Sequence, residues 1–130
     1  MPTDYAITFF YYPDLAAAAA FYERTLDFEL VLDQGMARIY RFGPSSYFGI
    51  VDGERGHLRH RADSAALLTL VVADVGAWHA RLAAAGVDGL GEILFGRYCE
   101  HFFFRDPHGY AIEIQRFRDP DVARLFAPSA

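Results

Sequence analysis

The sequence predicts an α+β fold built from two tandem β-α-β-β-β modules, and three observations predict it. Tyr12-Pro13-Asp14-Leu15 ends an apolar run and opens an alanine-rich segment, and Val72-Ala73-Asp74-Val75 does the same sixty positions on. Each copy is followed by one helix-like stretch and then by short strand-like runs. Apolar residues make up 53% of the 130 and aromatics 16%, ample material for a core. A repeat of this length is one supersecondary unit that cannot bury its apolar face alone. The two copies should therefore pack as a pair, with function in the groove they create.

Tyr5–Tyr12 is rich in aromatic and β-branched residues and reads as a strand stopped by Pro13. Asp14 stands at the N-cap position, where its carboxylate can accept the free N–H groups of a first helical turn. Ala16–Ala20 are strong helix formers, and Leu15, Ala18, Phe21, Tyr22 and Leu26 form an apolar stripe at helical spacing. Strands are expected at about 28–32, 37–42 and 47–51, with Gly35 and Gly43-Pro44 as turns. Module one thus spans about 4–52. Residues 53–65 suit a linker. Module two, about 66–117, opens with the apolar strand Leu67–Val72. Asp74 caps a helix through Ala77, Trp78, Leu82 and Ala85, and Gly86 stops it. Strands follow at about 92–95, 98–104 and 110–116. Asp106-Pro107-His108-Gly109 is a strong turn, because proline presets φ and glycine accepts positive φ. The tail, 118–130, has material for a short helix at 122–126.

The net charge of −5 argues against nucleic acid as a partner. Arg55-Gly-His57-Leu-Arg59-His60-Arg61 is a basic island between the modules, to be read as a solvated linker or as a lid that meets an anionic ligand. No run approaches the ~18 apolar residues of a membrane span, and the amino terminus lacks the pattern of a signal peptide. Cys99 is the single cysteine, so no internal disulfide forms. A cytoplasmic protein with no membrane partner is expected.

Pro13-Asp14-Leu15 with Phe21-Tyr22, the paired modules, and Asp106-Pro107-x-Gly109-x-x-x-Glu113 together resemble the vicinal oxygen chelate superfamily. That group includes glyoxalase I, extradiol dioxygenases, and fosfomycin- and bleomycin-resistance proteins. The resemblance implies two sheets curled around a shared groove with the helices outside. It also implies metal ligands on the first and last strand of each module. Here the corresponding positions are Ile7, Gly49, Leu67 and Glu113. Neither an alkyl chain nor a hydrogen can donate to a cation. The expectation is therefore no metal cofactor, with a divalent ion held through Glu113 as the disfavoured alternative.

If Ile7 and Glu113 face the groove, strand alternation places Tyr5, Phe9, Tyr11, Tyr47, Thr69, Phe103 and Gln115 there as ligand-binding residues. His101 and Glu113, on neighbouring strands and on one face, are the candidate catalytic pair: an acid/base dyad, two ligands of a displaced metal site, or a cross-strand polar pair without chemistry. The side-chain parity around Arg38–Phe42 stays open. Cys99 reads as a small buried hydrophobe, His79 as a surface or interface residue of the helix, and His108 as a solvent-facing turn residue. The leading reading is a bleomycin-resistance-like protein that binds a small aromatic or cationic molecule without a metal in the usual superfamily site, and that forms a homodimer. The alternative is a metal-dependent lyase, isomerase or dioxygenase of the same superfamily with a rearranged metal site. Whether the chain is an enzyme stays open between them.

Overall fold

The computed structural model describes residues 1–61 and 63–126. The chain divides into two units, Met1–Ala62 and Asp63–Ala130, and each carries one module. The first contains β1 (Ile7–Tyr12), α1 (Leu15–Ala20) continuing as a π turn (Phe21–Thr25), β2 (Glu29–Asp33), β3 (Ala37–Gly43) and β4 (Ser46–Asp52). Its sheet is ordered β1-β4-β3-β2, with β1 parallel to β4 and the other neighbours antiparallel. The second repeats this with β5 (Leu67–Val71), α2 (Val75–Ala85), β6 (Leu94–Phe95), β7 (Cys99–Arg105) and β8 (Ala111–Phe117), ordered β5-β8-β7-β6. A short α3 (Pro120–Arg124) follows, starting two residues before the expected tail helix because Asp119 caps it. No helix among the described residues is long and apolar enough to cross a membrane.

The two aspartates that announce the repeat do the same physical work. Asp14 Oδ1 accepts from Ala17 N at 3.1 Å, and Asp74 Oδ1 from Ala77 N at 3.0 Å, from nearly identical extended backbones. The two helices end differently. α2 stops at Gly86, whose φ of +68° is open to glycine at no steric cost. α1 widens instead, with Leu26 N bonding to Phe21 O, and so delivers Phe21 and Tyr22 side by side into the core. The stripe Leu15–Leu26 reads as one continuous helix in sequence, and its π turn carries no separate signal.

Alternation along the strands sorts two faces. In the first unit Phe10, Tyr12, Tyr40, Phe48 and Ile50 are buried toward the helix with Tyr22. The hydroxyls of Tyr12 and Tyr22 meet at 2.9 Å, and the Tyr22 ring lies 4.8 Å from that of Phe48. Tyr40 donates to Glu23 Oε2 at 2.8 Å, and Arg38 donates to the same oxygen at 3.0 Å. That settles the parity of β3: Arg38 and Tyr40 face the helix, and Ala37, Ile39 and Arg41 the opposite side. In the second unit Leu70, Val75, Leu82, Phe102, Phe104, Ile112 and Ile114 form the core.

Two expectations are revised. His79 is half-buried rather than a surface residue: its Nε2 donates to the Gly91 carbonyl at 2.9 Å and its ring meets Phe102 edge-on at 4.8 Å. His108 is also half-buried, with its backbone N–H held by the Asp106 carboxylate at 2.9 Å. The basic island keeps Arg55, His57, Arg59 and Arg61 exposed, as expected of a solvated linker, and is tied to β1 on either side. Gly53 N bonds Tyr12 O at 2.8 Å, His60 Nδ1 donates to Tyr11 O at 2.8 Å, and the His60 ring stacks on Tyr12. Asp52 folds the turn between them by accepting from Glu54 N and from the Arg55 guanidinium, contacts that hold its carboxyl below the usual range.

Candidate functional site

The face of each sheet turned away from its helix carries the residues singled out by sequence. In the second unit these stand on β5, β8 and β7. Thr69 pairs with Glu113 across the parallel β5–β8 ladder, and Phe103 pairs with Glu113 across the antiparallel β7–β8 ladder. Asp106-Pro107-His108-Gly109 sets that second register. Asp106, 1% exposed, accepts from His108 N at 2.9 Å and Tyr110 N at 3.0 Å, and Gly109 takes φ of +94°. A one-residue slip of the turn would send Glu113 into the core.

Glu113 is 9% exposed yet fully engaged. Its Oε1 accepts from Thr69 Oγ1 at 2.8 Å and its Oε2 from His101 Nδ1 at 2.7 Å. The short His101 contact has the length of a charge-assisted bond. Phe103, 39% exposed, meets His101 edge-on with centroids 5.3 Å apart. Gln115 is half-buried and pairs with His101 across β7–β8. Cys99 is not the buried hydrophobe expected. It is half-buried on the same face, and one donor atom each from Cys99, His101 and Glu113 lie within 4.8 Å of one another. Burial, and then the Glu113 charge, push the Cys99 thiol above its ordinary pKa.

In the first unit Tyr5, Phe9, Tyr11 and Tyr47 share the corresponding face. Tyr5 and Tyr47 tilt against one another at 5.2 Å, and the Arg41 guanidinium lies 5.6 Å from the Tyr47 centroid. Arg41 also stands 3.8 Å from Glu29, a loose and exposed pair. Sequence reasoning missed Arg41 because the parity of β3 stayed open. Glu23 on the helix, matched to Arg38 and Tyr40, was the signal that could have fixed it. Tyr11 is the least available of the four, since its ring is covered by Gly56: a β-carbon there would stand 2.8 Å from Tyr11 Cε1 and 2.6 Å from Val51 Cγ1.

The metal implied by the resemblance does not fit the residues at its usual positions. Ile7 and Leu67 present no donor atom, and Gly49 has no side chain. The space a side chain at Gly49 would need is taken, because a β-carbon built there falls 2.2 Å from Phe9 Cδ1 and 2.3 Å from Cε1. Phe9 pairs with Gly49 across β1–β4 and its ring fills the vacancy. Of the four positions only Glu113 can donate, and one carboxylate does not hold a catalytic ion.

Comparison with known proteins identifies the family and the fold. The profile of the Glyoxalase/Bleomycin resistance protein/Dioxygenase superfamily matches residues 5–114. Among solved structures, a lactoylglutathione lyase from Agrobacterium tumefaciens superposes with a TM-score of 0.71 at 23% identity, covering 88% of this chain and 94% of that one. TioX from Micromonospora sp. ML1 gives 0.73 at 18% identity, covering 88% and 99%. A glyoxalase/bleomycin resistance protein from Streptomyces sp. CB03234 gives 0.69 at 25% identity, covering 85% and 98%. No curated protein sequence matches the chain. Paired β-α-β-β-β modules, the turn that delivers Glu113, and a profile match over most of the length have one explanation: the chain belongs to the glyoxalase/bleomycin resistance protein/dioxygenase superfamily.

Proposed function

We propose that the protein binds a small aromatic or cationic organic molecule, with Glu113 as its charged anchor and without a metal at the positions its superfamily usually employs. One observation carries this reading. Two carboxylates are buried among the described residues, Asp106 and Glu113. Asp106 Oδ1 accepts from two backbone N–H groups of its own turn. Glu113 is held only by side chains, on a helix-free face and beside the half-exposed ring of Phe103. Burying a carboxylate costs several kcal/mol in effective desolvation, and no backbone group needs this one. A pre-oriented charge next to an accessible ring is the chemistry that recognises a flat cation or an aromatic ligand with a hydrogen-bond donor. Tyr5, Tyr47 and Arg41 give the first unit a second aromatic face of related character. A homodimer belongs to this reading, and sedimentation equilibrium measures it.

The test is a thermal-shift screen of chelator-treated protein against aromatic cations and neutral aromatics, repeated on Glu113→Gln. A ligand present at a hundred times its Kd stabilises the native state by ~2.7 kcal/mol, a shift easily read. The expected result is stabilisation by at least one aromatic cation, lost in Glu113→Gln. Stabilisation that survives the substitution would remove Glu113 from the site, and a screen without any hit would remove the reading. An enzyme with a rearranged metal site is the second reading, favoured by the approach of Cys99 to the His101–Glu113 pair.

A further inference from the structure

We propose that Cys99, His101 and Glu113 form a binding site for one borderline-soft divalent ion such as Zn²⁺, lying wholly on the β7–β8 face of the second module. Two of its three donors come from β7, a strand that contributes nothing to the four-position pattern the resemblance implies. The proposal does not rest on organic-ligand binding.

The donor atoms lie within 4.8 Å of one another in the absence of any ion. Around tetrahedral zinc, with bonds of roughly 2.0–2.3 Å, ligand atoms stand roughly 3.3–3.8 Å apart. The cluster is therefore within small side-chain rotations of a closed site. His101 and Glu113 now meet at 2.7 Å, and an ion would take the place of the hydrogen they share, moving the two apart. Thr69 donates to Oε1 and so leaves Oε2, the oxygen nearest His101, to face the ion. A hydroxyl that fixes a ligating carboxylate is a common support of protein metal sites.

The donor set selects the class of metal. Thiolate and imidazole suit zinc, and also cobalt or nickel, whereas calcium and magnesium need shells of oxygen. Backbone geometry makes the convergence durable. Cys99 and His101 are two apart on one strand and so share a face, and the Asp106 turn fixes β8 against them. With three protein donors and a His101 side chain 20% exposed, the fourth position is open to water or to another ligand, the coordination of catalytic rather than structural zinc.

The test uses Co²⁺ alone as probe, added to chelator-stripped protein without organic ligand. Saturation at one Co²⁺ per chain is expected, with a near-ultraviolet thiolate-to-cobalt charge-transfer band and visible bands of tetrahedral intensity. Zn²⁺ should displace it. Cys99→Ser should abolish the charge-transfer band while keeping the fold, since the change is nearly isosteric at a half-buried position. Loss of a supporting contact alone weakens metal sites ~10–100-fold, so Thr69→Val should weaken Co²⁺ at least ~10-fold with the band retained, and Glu113→Gln more. No saturable binding at millimolar cobalt, or a spectrum unchanged in Cys99→Ser, would overturn the proposal. Either failure leaves the organic-ligand screen untouched, because that screen is run on stripped protein. Where both hold, an organic cation and the metal must compete for Glu113.

Discussion

In a Glu113→Ala variant, Thr69 Oγ1 and His101 Nδ1 lose the carboxylate that accepts from them at 2.8 and 2.7 Å. Each bond to a charged acceptor nets ~1.5–3 kcal/mol, which sets the gross loss at ~3–6 kcal/mol. Two effects offset it. The effective desolvation cost of the buried carboxylate, several kcal/mol, disappears with the charge. Thr69 and His101 are half-buried rather than sealed, so water can take over their donors. The net destabilisation should be small, ~1 kcal/mol, which for a domain of this size moves Tm by roughly 3–5 °C. Asp106→Ala is the comparison. It strands the backbone N–H groups of His108 and Tyr110 around a side chain only 1% exposed, and should cost ~3 kcal/mol or more. Urea denaturation followed by circular dichroism reads both, and the slope m should stay unchanged for Glu113→Ala. A Glu113→Ala loss as large as that of Asp106→Ala would make Glu113 a structural residue and refute the distinction between the two carboxylates.

Gly49→Ala puts a methyl group within 2.2–2.3 Å of the Phe9 ring, which must swing outward. The expected cost is ~1–3 kcal/mol, largely relieved in the Gly49→Ala/Phe9→Ala double variant; additive denaturation energies would show that the ring does not fill that space. Burial, and then Glu23, push the Tyr40 phenol well above its ordinary 10.0, so the folded state holds the neutral form. That stabilisation is complete below the unfolded-state value of about pH 10 and is lost as pH rises through the folded one. Stability should therefore fall in alkali above about pH 10, and Tyr40→Phe should flatten that part of the profile.

The parts of the molecule legible in sequence are those where local chemistry and global packing agree. Asp14 and Asp74 cap helices because an exposed aspartate before an apolar stripe has one good use. His101 and Glu113 meet because a tight turn between short strands leaves little freedom of register. The illegible parts depend on longer reach. β3 carries Arg38, Tyr40 and Phe42 on one face and Ala37, Ile39 and Arg41 on the other, so alternation alone does not say which is inside. Arg38 and Tyr40 turn inward because Glu23, fifteen or more residues away in the chain, waits there. His79 and the basic island share this trait: each is tied to a backbone carbonyl distant in the chain, that of Gly91 or Tyr11, whose position no local pattern reveals. Cys99 lies two residues from His101 on one strand, but Glu113, the third member of its cluster, comes from the next strand and is reached only through the register of β7 and β8.

The Phe9 ring seated on Gly49 also bears on the routes by which such a chain could change. A single substitution that placed a donor at Gly49 would meet the ring and lose stability before it gained any chemistry. Replacing Phe9 first would expose the bare glycine with no benefit of its own. Both positions would have to change together, and donors at Ile7 and Leu67 would still be missing. A route to the four-position metal pattern thus runs against the packing of Phe9 on Gly49, whereas a donor added near Cys99 and His101 would meet no such obstacle.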